Sequence, residues 1–284
     1  MRALVDADIF AYEFGNFKDL DTGDLLPWEI VRSLVDARIQ DILEEVGATE
    51  ASYYLTDSKS NFRNEVATIL SYKGHRTAEK PPHWSLIREH LIENYDAEVC
   101  YGIEADDKVG IEQYTGEWSQ LEPGNTIICS RDKDLHMIPG WHYSWACGKQ
   151  KERKWFVDEE DGIRFFYKQL LTGDATDNIL GLYGVGAKSA LVTQLDAMTD
   201  EQEMYEHVLS KYIDRFGSYA YGFLLENAKL LWICRLPHTE GEHQYEIQRR
   251  MRFYEEQRSI KEQSEINGDD TSVQDEDREG QDKV

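Results

Sequence analysis

Apolar positions along the chain recur in two rhythms. Short runs at Ala3–Val5, Ser52–Leu55, Glu98–Tyr101, Thr126–Cys129 and His142–Trp145 read as strands. Between them, Trp28–Val46 places Val31, Leu34, Val35, Ile39, Ile42, Leu43 and Val46 on one helical stripe, and Trp84–Asn94 and Asp106–Tyr114 read as further helices. Such alternation predicts an α/β fold with a central, mostly parallel sheet flanked by helices on both faces. Past Asp158 the strand rhythm stops. Gly162–Leu171, Ala187–Leu195, Glu201–Phe216 and Tyr219–Cys234 all read as helices. The chain therefore divides into an α/β core over 1–157, a helical region over 158–254 and a tail over 255–284. No internal repeat and no Pro- or Gly-rich linker separates core from helical region, so the two are expected to pack as one unit.

Charge complicates this picture. The 284 residues hold 55 Asp+Glu against 31 Lys+Arg, a net −24. Taken alone, that balance opposes nucleic acid, whose binding rests on neutralising phosphates, and opposes an anionic membrane surface. Part of it is local: Glu262–Val284 carries nine acids, two bases and few apolar residues, and reads as a disordered acidic tail. No apolar run approaches the ~18 residues of a membrane span. The opening MRALVDADIF has no apolar stretch leading to a small-residue cleavage site, so no secretory leader is expected. Cys100, Cys129, Cys147 and Cys234 are scattered, with no C-x-x-C pair, which fits a reduced, cytoplasmic setting rather than zinc or a disulfide framework.

The acids that matter sit at strand ends. Asp6 follows the first strand, Asp57 the second, Glu104 and Asp106 the third, and Asp132 and Asp134 the fourth, with Asp8 and Asp107 beside them and given no direct role. In an open parallel sheet, ligands bind outside the carboxyl ends of the strands, so these side chains should converge on one crevice. Asp174 and Asp177, in LTGDATDNI, are placed to close it from the helical region. Any one such Asp is ordinarily a turn or cap residue; four strands delivering acids at one end is the informative pattern. Packed together, they repel and raise each other's pKa. Divalent cations relieve that repulsion, and an all-oxygen donor set selects hard ions, Mg²⁺ or Mn²⁺. The number of carboxylates suits two metals and in-line attack on a phosphodiester.

Two further segments supply phosphate chemistry. SKSNFRNEVATILSYKGHRTAEK brings Lys59, Arg63, Lys73, Arg76 and Lys80 with Phe62 and Tyr72 interleaved, a pattern suited to a nucleic-acid strand. Its bland alternative is a solvated helix of mixed charge. GLYGVGAKSA forms a tight turn, Gly184-Val185-Gly186, expected to open into a helix with Lys188 in its first turn; N–H groups there bind phosphate without reading sequence.

In this order, VDAD, TDSKSNFRNEVATILSYKGHR, IEADD, SRDKDL and GDATDNILGLYGVGAK resemble the structure-specific 5′-nuclease (flap endonuclease-like) superfamily, most nearly its phage 5′→3′ exonucleases. The resemblance spans roughly residues 1 to 195. It implies a PIN-like 5′-nuclease core followed by a helix-hairpin-helix (helix-three-turn-helix) motif. It implies a metal-dependent 5′→3′ exonuclease or flap endonuclease-like hydrolase acting on DNA 5′ ends, flaps or nicks, with RNA in RNA–DNA hybrids as a further substrate. Phage replication, primer removal or recombination would be its setting. Asp57, Glu104, Asp106 and Asp132 would surround a first Mg²⁺ or Mn²⁺, Asp134, Asp174 and Asp177 a second, and Asp6 would act directly or through metal-bound water. Lys73 and Arg76 would steady the scissile phosphate, and Tyr72 would stack on a base, with Arg63 also on the DNA. The Gly184, Val185, Gly186 and Lys188 hairpin would hold duplex backbone, with a K⁺ on its carbonyls.

Only TAEKPPH lies between Arg76 and Trp84, and Pro81 and Pro82 oppose an extended helix there, so action on duplex 5′ ends is expected over threading of long flaps. A monomer is expected, with no membrane partner, and the acidic tail is a candidate contact for replication proteins. Rival readings are a haloacid-dehalogenase-type phosphatase with Asp6 as nucleophile and Asp8 as general acid, a PIN-type ribonuclease, and a nuclease-like module that binds DNA junctions without cutting.

Overall fold

A computed structural model of the chain describes residues 1–118, 125–237 and 242–276. In chain order the elements are β1 (Arg2–Asp6), α1 (Asp8–Phe14), α2 (Trp28–Val46), β2 (Glu50–Thr56), α3 (Arg63–Val66), α4 (Trp84–Tyr95), β3 (Glu98–Cys100), α5 (Ala105–Trp118), β4 (Thr126–Cys129), β5 (Gly140–Ser144) and β6 (Arg153–Val157). There follow α6 (Glu159–Thr172), a two-residue ribbon β7 (Gly173–Asp174) with β8 (Ile179–Leu180), then α7 (Ala190–Thr193), α8 (Glu201–Phe216), α9 (Ala220–Leu231) and α10 (Tyr245–Glu276). The main sheet has the order β3-β2-β1-β4-β5-β6, parallel throughout except for the antiparallel edge strand β6. Strand order reverses at β1, which pairs with β2 through Leu4↔Ser52 and with β4 through Leu4↔Ile128. A crevice outside the carboxyl ends of β1 and β4 follows from that topology.

Side-chain alternation along the strands feeds two cores. Ala3, Val5, Tyr53, Leu55, Ile127 and Cys129 face α1, α2 and α4, meeting Phe10, Val35, Ile39 and Ile87. Leu4, Tyr54 and Ile128 face the other way, onto Val109 of α5 and Phe166 and Leu170 of α6. This second core runs on without a break into the helical region, through Tyr205, Leu209, Leu224, Trp232 and Met251. The helices after Asp158 are thus built directly onto one face of the sheet.

Several elements differ from the sequence reading. Strand β6, RKWFV, carries charges on an edge and lacks a clean apolar period, so it gave no strand signal. The helix expected over Ala187–Leu195 is a single turn, Ala190–Thr193, capped by the Ser189 hydroxyl and continued as a 3-10 turn. Lys188 therefore precedes the helix instead of lying in its first turn. Disorder was expected from Glu262, but α10 continues to Glu276. Ile247 and Met251 anchor its start in the core, Arg252–Glu256 and Arg258–Glu262 pair one turn apart, and Glu, Gln, Arg and Lys are good helix formers. The last eight residues of the expected tail lie outside the described residues.

Arg63, expected on DNA, is instead a buried strut, 1% exposed. Its guanidinium forks onto Asp107, with Nη1–Oδ2 at 2.6 Å and Nη2–Oδ1 at 2.8 Å. Nε donates to the Leu230 carbonyl and Nη2 to that of Trp232. Asp107, fully buried, also accepts from the Glu104 and Cys234 amides. One ion pair thereby ties α3, α5 and the chain beyond α9 together, with Nε and both Nη groups engaged and no open face left for a phosphate. Cutting a buried pair on one side strands the other charge. Arg63→Ala is expected to cost about 3–5 kcal/mol in urea unfolding, and Arg63→Lys to recover only part of it, because an ammonium cannot fork. A stable Arg63→Ala protein with a specific loss of DNA affinity would reinstate the surface role.

Candidate active site

The strand ends deliver their acids to one place. A cavity of about 1200 Å³ is lined by Asp6, Asp8, Glu104, Asp106, Asp132, Asp134 and Asp177, with Lys73, Arg76, Arg88 and Lys133 among them. Asp174 joins Glu104, Asp106, Asp134 and Asp177 in a small recess. Backbone crowding fixes Asp174: a Cβ on Gly173 would come 2.2 Å from the Gly181 amide nitrogen and one on Gly181 2.2 Å from the Thr172 carbonyl carbon, and Gly173 has φ +68°. Two glycines let β7 and β8 cross tightly enough to aim Asp174 inward. Its Oδ1 accepts from the Thr176 amide at 2.7 Å, closing the turn that carries Asp177.

Burial and like charge set the electrostatics. Asp6, 7% exposed, is pushed up to about 8 by burial, then by Asp8 and Asp132; its one side-chain partner is the Ser130 hydroxyl at 3.1 Å. Burial, Glu104 and Asp107 raise Asp106 well above the carboxylate range. Asp134 is raised to about 6 by burial and by Asp132. Two lysines offset the crowding elsewhere. Burial would raise Glu104, but the Lys73 ammonium in contact with it, with Arg63 behind, holds it below the usual value. Lys133 lies 2.6 Å from Asp134 and 2.5 Å from Asp174 and keeps Asp174 low against its burial.

Lys73 is held with care. Its φ is +53°, a left-handed conformation costly for a residue with a Cβ, and its amide donates to the Asp177 carbonyl at 2.9 Å. Arg76 reaches Asp177 at 2.6 Å, with its guanidinium still half-exposed. Tyr72, expected to stack on a base, is buried: its hydroxyl sits 2.6 Å from Glu104 and 2.8 Å from Asp177, and the Lys73 ammonium lies over its ring. It positions acids and offers no open face. Asp57 lies next to Ser58 of the cavity wall; its Oδ2 accepts from the Ser60 hydroxyl (2.8 Å) and from the Ser60 and Lys59 amides, closing its own turn. Asp8 lines the cavity, held by Arg88 and the Thr56 amide. Gly184 (φ +78°), Gly186 and Lys188 are exposed and Val185 half-buried, in a separate turn outside the cavity wall.

Two residues that the sequence reading passed over take part. Lys133 was visible inside SRDKDL, but a lysine between two aspartates reads as solvated charge. Arg88 lies on the inner side of α4, a placement only the fold reveals.

The donor set fits a hard divalent cation chemically, being carboxylate oxygen without His or Cys, and its raised acids are those such an ion would deprotonate. Among the described residues no three such side chains are gathered as ligands around one point; Lys73 and Lys133 hold the positive charge.

No protein-family model matches the chain. It is 31% identical to DNA polymerase I of Rhizobium leguminosarum over 176 residues, which is 57% of this chain and 16% of that one. It is 27% identical to a 5′-3′ exonuclease of Buchnera aphidicola subsp. Schizaphis graminum over 205 residues, 66% of this chain and 67% of that one. The chain thus spans about a sixth of the first relative and two thirds of the second. Among solved structures, the T5 D15 protein co-crystallised with metal ions superposes with a TM-score of 0.56 at 17% identity, covering 89% of this chain and 98% of that one.

Asp6 yields a pH test. Its folded pKa of about 8 lies above the unfolded value near 3.9, so the folded state keeps a proton that the unfolded state releases. The stability it contributes therefore falls as pH rises from about 4 to about 8. Asp6→Asn mimics the protonated form and should raise the metal-free Tm by a few °C at pH 8, with little change at pH 4. Thermal unfolding in EDTA at both values decides this; an unchanged Tm at pH 8 would contradict the buried, crowded Asp6. The acids gather on one crevice, and the chain shares the fold of the T5 D15 protein.

Proposed function

We propose that this chain is a metal-dependent nuclease that hydrolyses phosphodiester bonds of DNA from 5′ ends. The observation that carries the reading is the convergence of Asp6, Glu104, Asp106, Asp132, Asp134, Asp174 and Asp177 at the crevice where strand order reverses, with Lys73 and Arg76 beside them. The relatives named 5′-3′ exonuclease and DNA polymerase I support it, as does the metal-bound T5 D15 protein by its fold.

In this reading Glu104, Asp106 and Asp132, with Asp6, would hold one Mg²⁺ or Mn²⁺, and Asp134, Asp174 and Asp177 a second. When bound, such ions supply an activated water and neutralise charge at the phosphate. The protein's own part is electrostatic and positional. Asp6 and Asp106 would be the groups to release protons to such ions, and Lys73 and Lys133, here paired with Glu104 and Asp174, would be freed from those partners, leaving Lys73 and Arg76 to face the substrate phosphate. Tyr72 keeps Glu104 and Asp177 aligned from below. Asp57, whose Oδ2 closes the Ser60 turn, would join the first site through its other oxygen. The Gly184–Lys188 turn would hold duplex backbone, and hydrolysis of RNA–DNA hybrids extends the same chemistry. A phosphatase reading needs Asp8 free to pass a proton to a leaving group, whereas Arg88 and the Thr56 amide occupy both its oxygens.

Incubation of 5′- and 3′-labelled duplexes with Mg²⁺ should release label from 5′ ends; mononucleotides from the 3′ end alone would refute the assignment. Asp174→Ala should lower cleavage by at least about 10²-fold while leaving DNA affinity equal or tighter, since a negative charge near phosphate is removed. Retained turnover would take Asp174 out of the site.

A further inference from the structure

One segment runs against the charge of the rest of the molecule. In a chain of net −24, Lys149, Lys151, Arg153 and Lys154 fall within six residues, with Glu152 the lone acid among them. They lie on the turn of the β5–β6 hairpin and at the start of β6, closed by the Cys147–Gln150 bridge and by the Ser144↔Arg153 and Tyr143↔Lys154 pairs. All four are exposed. Among the described residues none forms an ion pair, although most other cations of the chain have carboxylate partners. Arg153 rests on the Trp155 ring, 4.7 Å from its centroid, a contact that leaves its fork open to solvent.

Position gives this patch a use. The wall of the acid-lined cavity runs through Ala146, Cys147 and Gly148, so Lys149 begins where the cavity opens. The hairpin is also stiff for a rim element: Trp155 stacks on His142 at 5.3 Å, and Trp141 packs edge-on against Phe156. Four unpaired cations on a braced hairpin beside the mouth of a carboxylate cavity repel one another when nothing is bound, and a polyanion relieves that repulsion.

We propose that the β5–β6 hairpin is a phosphate-backbone clamp, binding the sugar-phosphate chain of DNA whose end lies in the cavity through Lys149 and Lys151 of its turn, with Arg153 and Lys154 flanking them on opposite faces of β6. The inference rests on the nuclease reading but adds a contact surface distinct from both the acid cluster and the Gly184–Lys188 turn. It also accounts for binding by an acidic protein: the cations needed are concentrated on one rim and left unpaired. Phosphodiester backbone is the shared chemistry, whether it belongs to duplex or to a single-stranded 5′ extension.

The test is a charge-matched comparison in EDTA, where binding is read without cleavage. Lys149→Ser/Lys151→Ser is compared with Arg252→Ser/Lys261→Ser, which removes the same charge from α10. Each is titrated with a blunt duplex and with the same duplex carrying a single-stranded 5′ extension, across a series of salt concentrations. The hairpin variant should bind several-fold more weakly, with its log–log salt slope reduced by up to about 0.9 for each duplex phosphate that is no longer neutralised. Weaker binding of both probes assigns the clamp to duplex, and weaker binding of the extended probe alone assigns it to the single strand. Wild-type affinity at every salt concentration, or an equal weakening in the α10 variant, overturns the proposal. A wild-type chain that neither binds these probes nor cuts them with Mg²⁺ would instead overturn the nuclease reading itself.

Discussion

Mutual repulsion of carboxylates is the constraint around which this molecule is arranged. Parallel strands end together, and here β1, β3 and β4 each hand acids to the same crevice, with Asp174 and Asp177 added from the ribbon after α6. Left alone, such a cluster would favour an open, solvated geometry. Three devices keep it closed. Some acids hold their protons, as the raised values of Asp6 and Asp106 indicate. Some are partnered by ammonium groups, Glu104 by Lys73 and Asp174 by Lys133. The rest is scaffold, chiefly the Arg63–Asp107 fork beneath Glu104.

These devices grade from structural to functional with depth. Arg63 and Asp107 lie deepest, saturate each other and connect the two halves of the chain. Tyr72 lies above them and passes that rigidity to Glu104 and Asp177 through one hydroxyl. Lys73, in its strained backbone conformation, lies against Glu104 at the cavity wall, and in the proposed function it is the layer that would exchange a carboxylate for a substrate phosphate. The same sequence segment thus serves as strut, spacer and contact over about ten residues, although its composition of basic and aromatic side chains is uniform.

How much was legible in the sequence follows from where each signal originates. Helix α2 and helix α8 match their expected bounds because an amphipathic stripe is local information. Strand β4, TIIC, was legible because a run buried on both faces has no other soluble use. Strand β6 was not, since an edge strand can carry charge, and α10 outran composition because an anchored helix can propagate through polar residues. In the site, acids at strand ends were legible from topology alone. Arg63 and Tyr72 were misread because nothing local distinguishes a buried, paired arginine from a DNA-facing one; Asp107 lies 44 residues away. The Ser60 turn that holds Asp57 Oδ2 is likewise a contact that composition does not record. The unpaired cations of the β5–β6 hairpin stand out only against the pairing of the others, which is a property of the fold.

The proposed chemistry turns on an exchange in which divalent cations would replace protons and lysines among these carboxylates. Calorimetric titration of the metal-free chain with Mn²⁺ near pH 7, in two buffers of different ionisation enthalpy, reads it most directly, because heat that varies with buffer counts protons released. Burial and crowding of Asp6 and Asp106 predict saturable binding with net proton release. Binding with no proton release, or no binding at all, would contradict it.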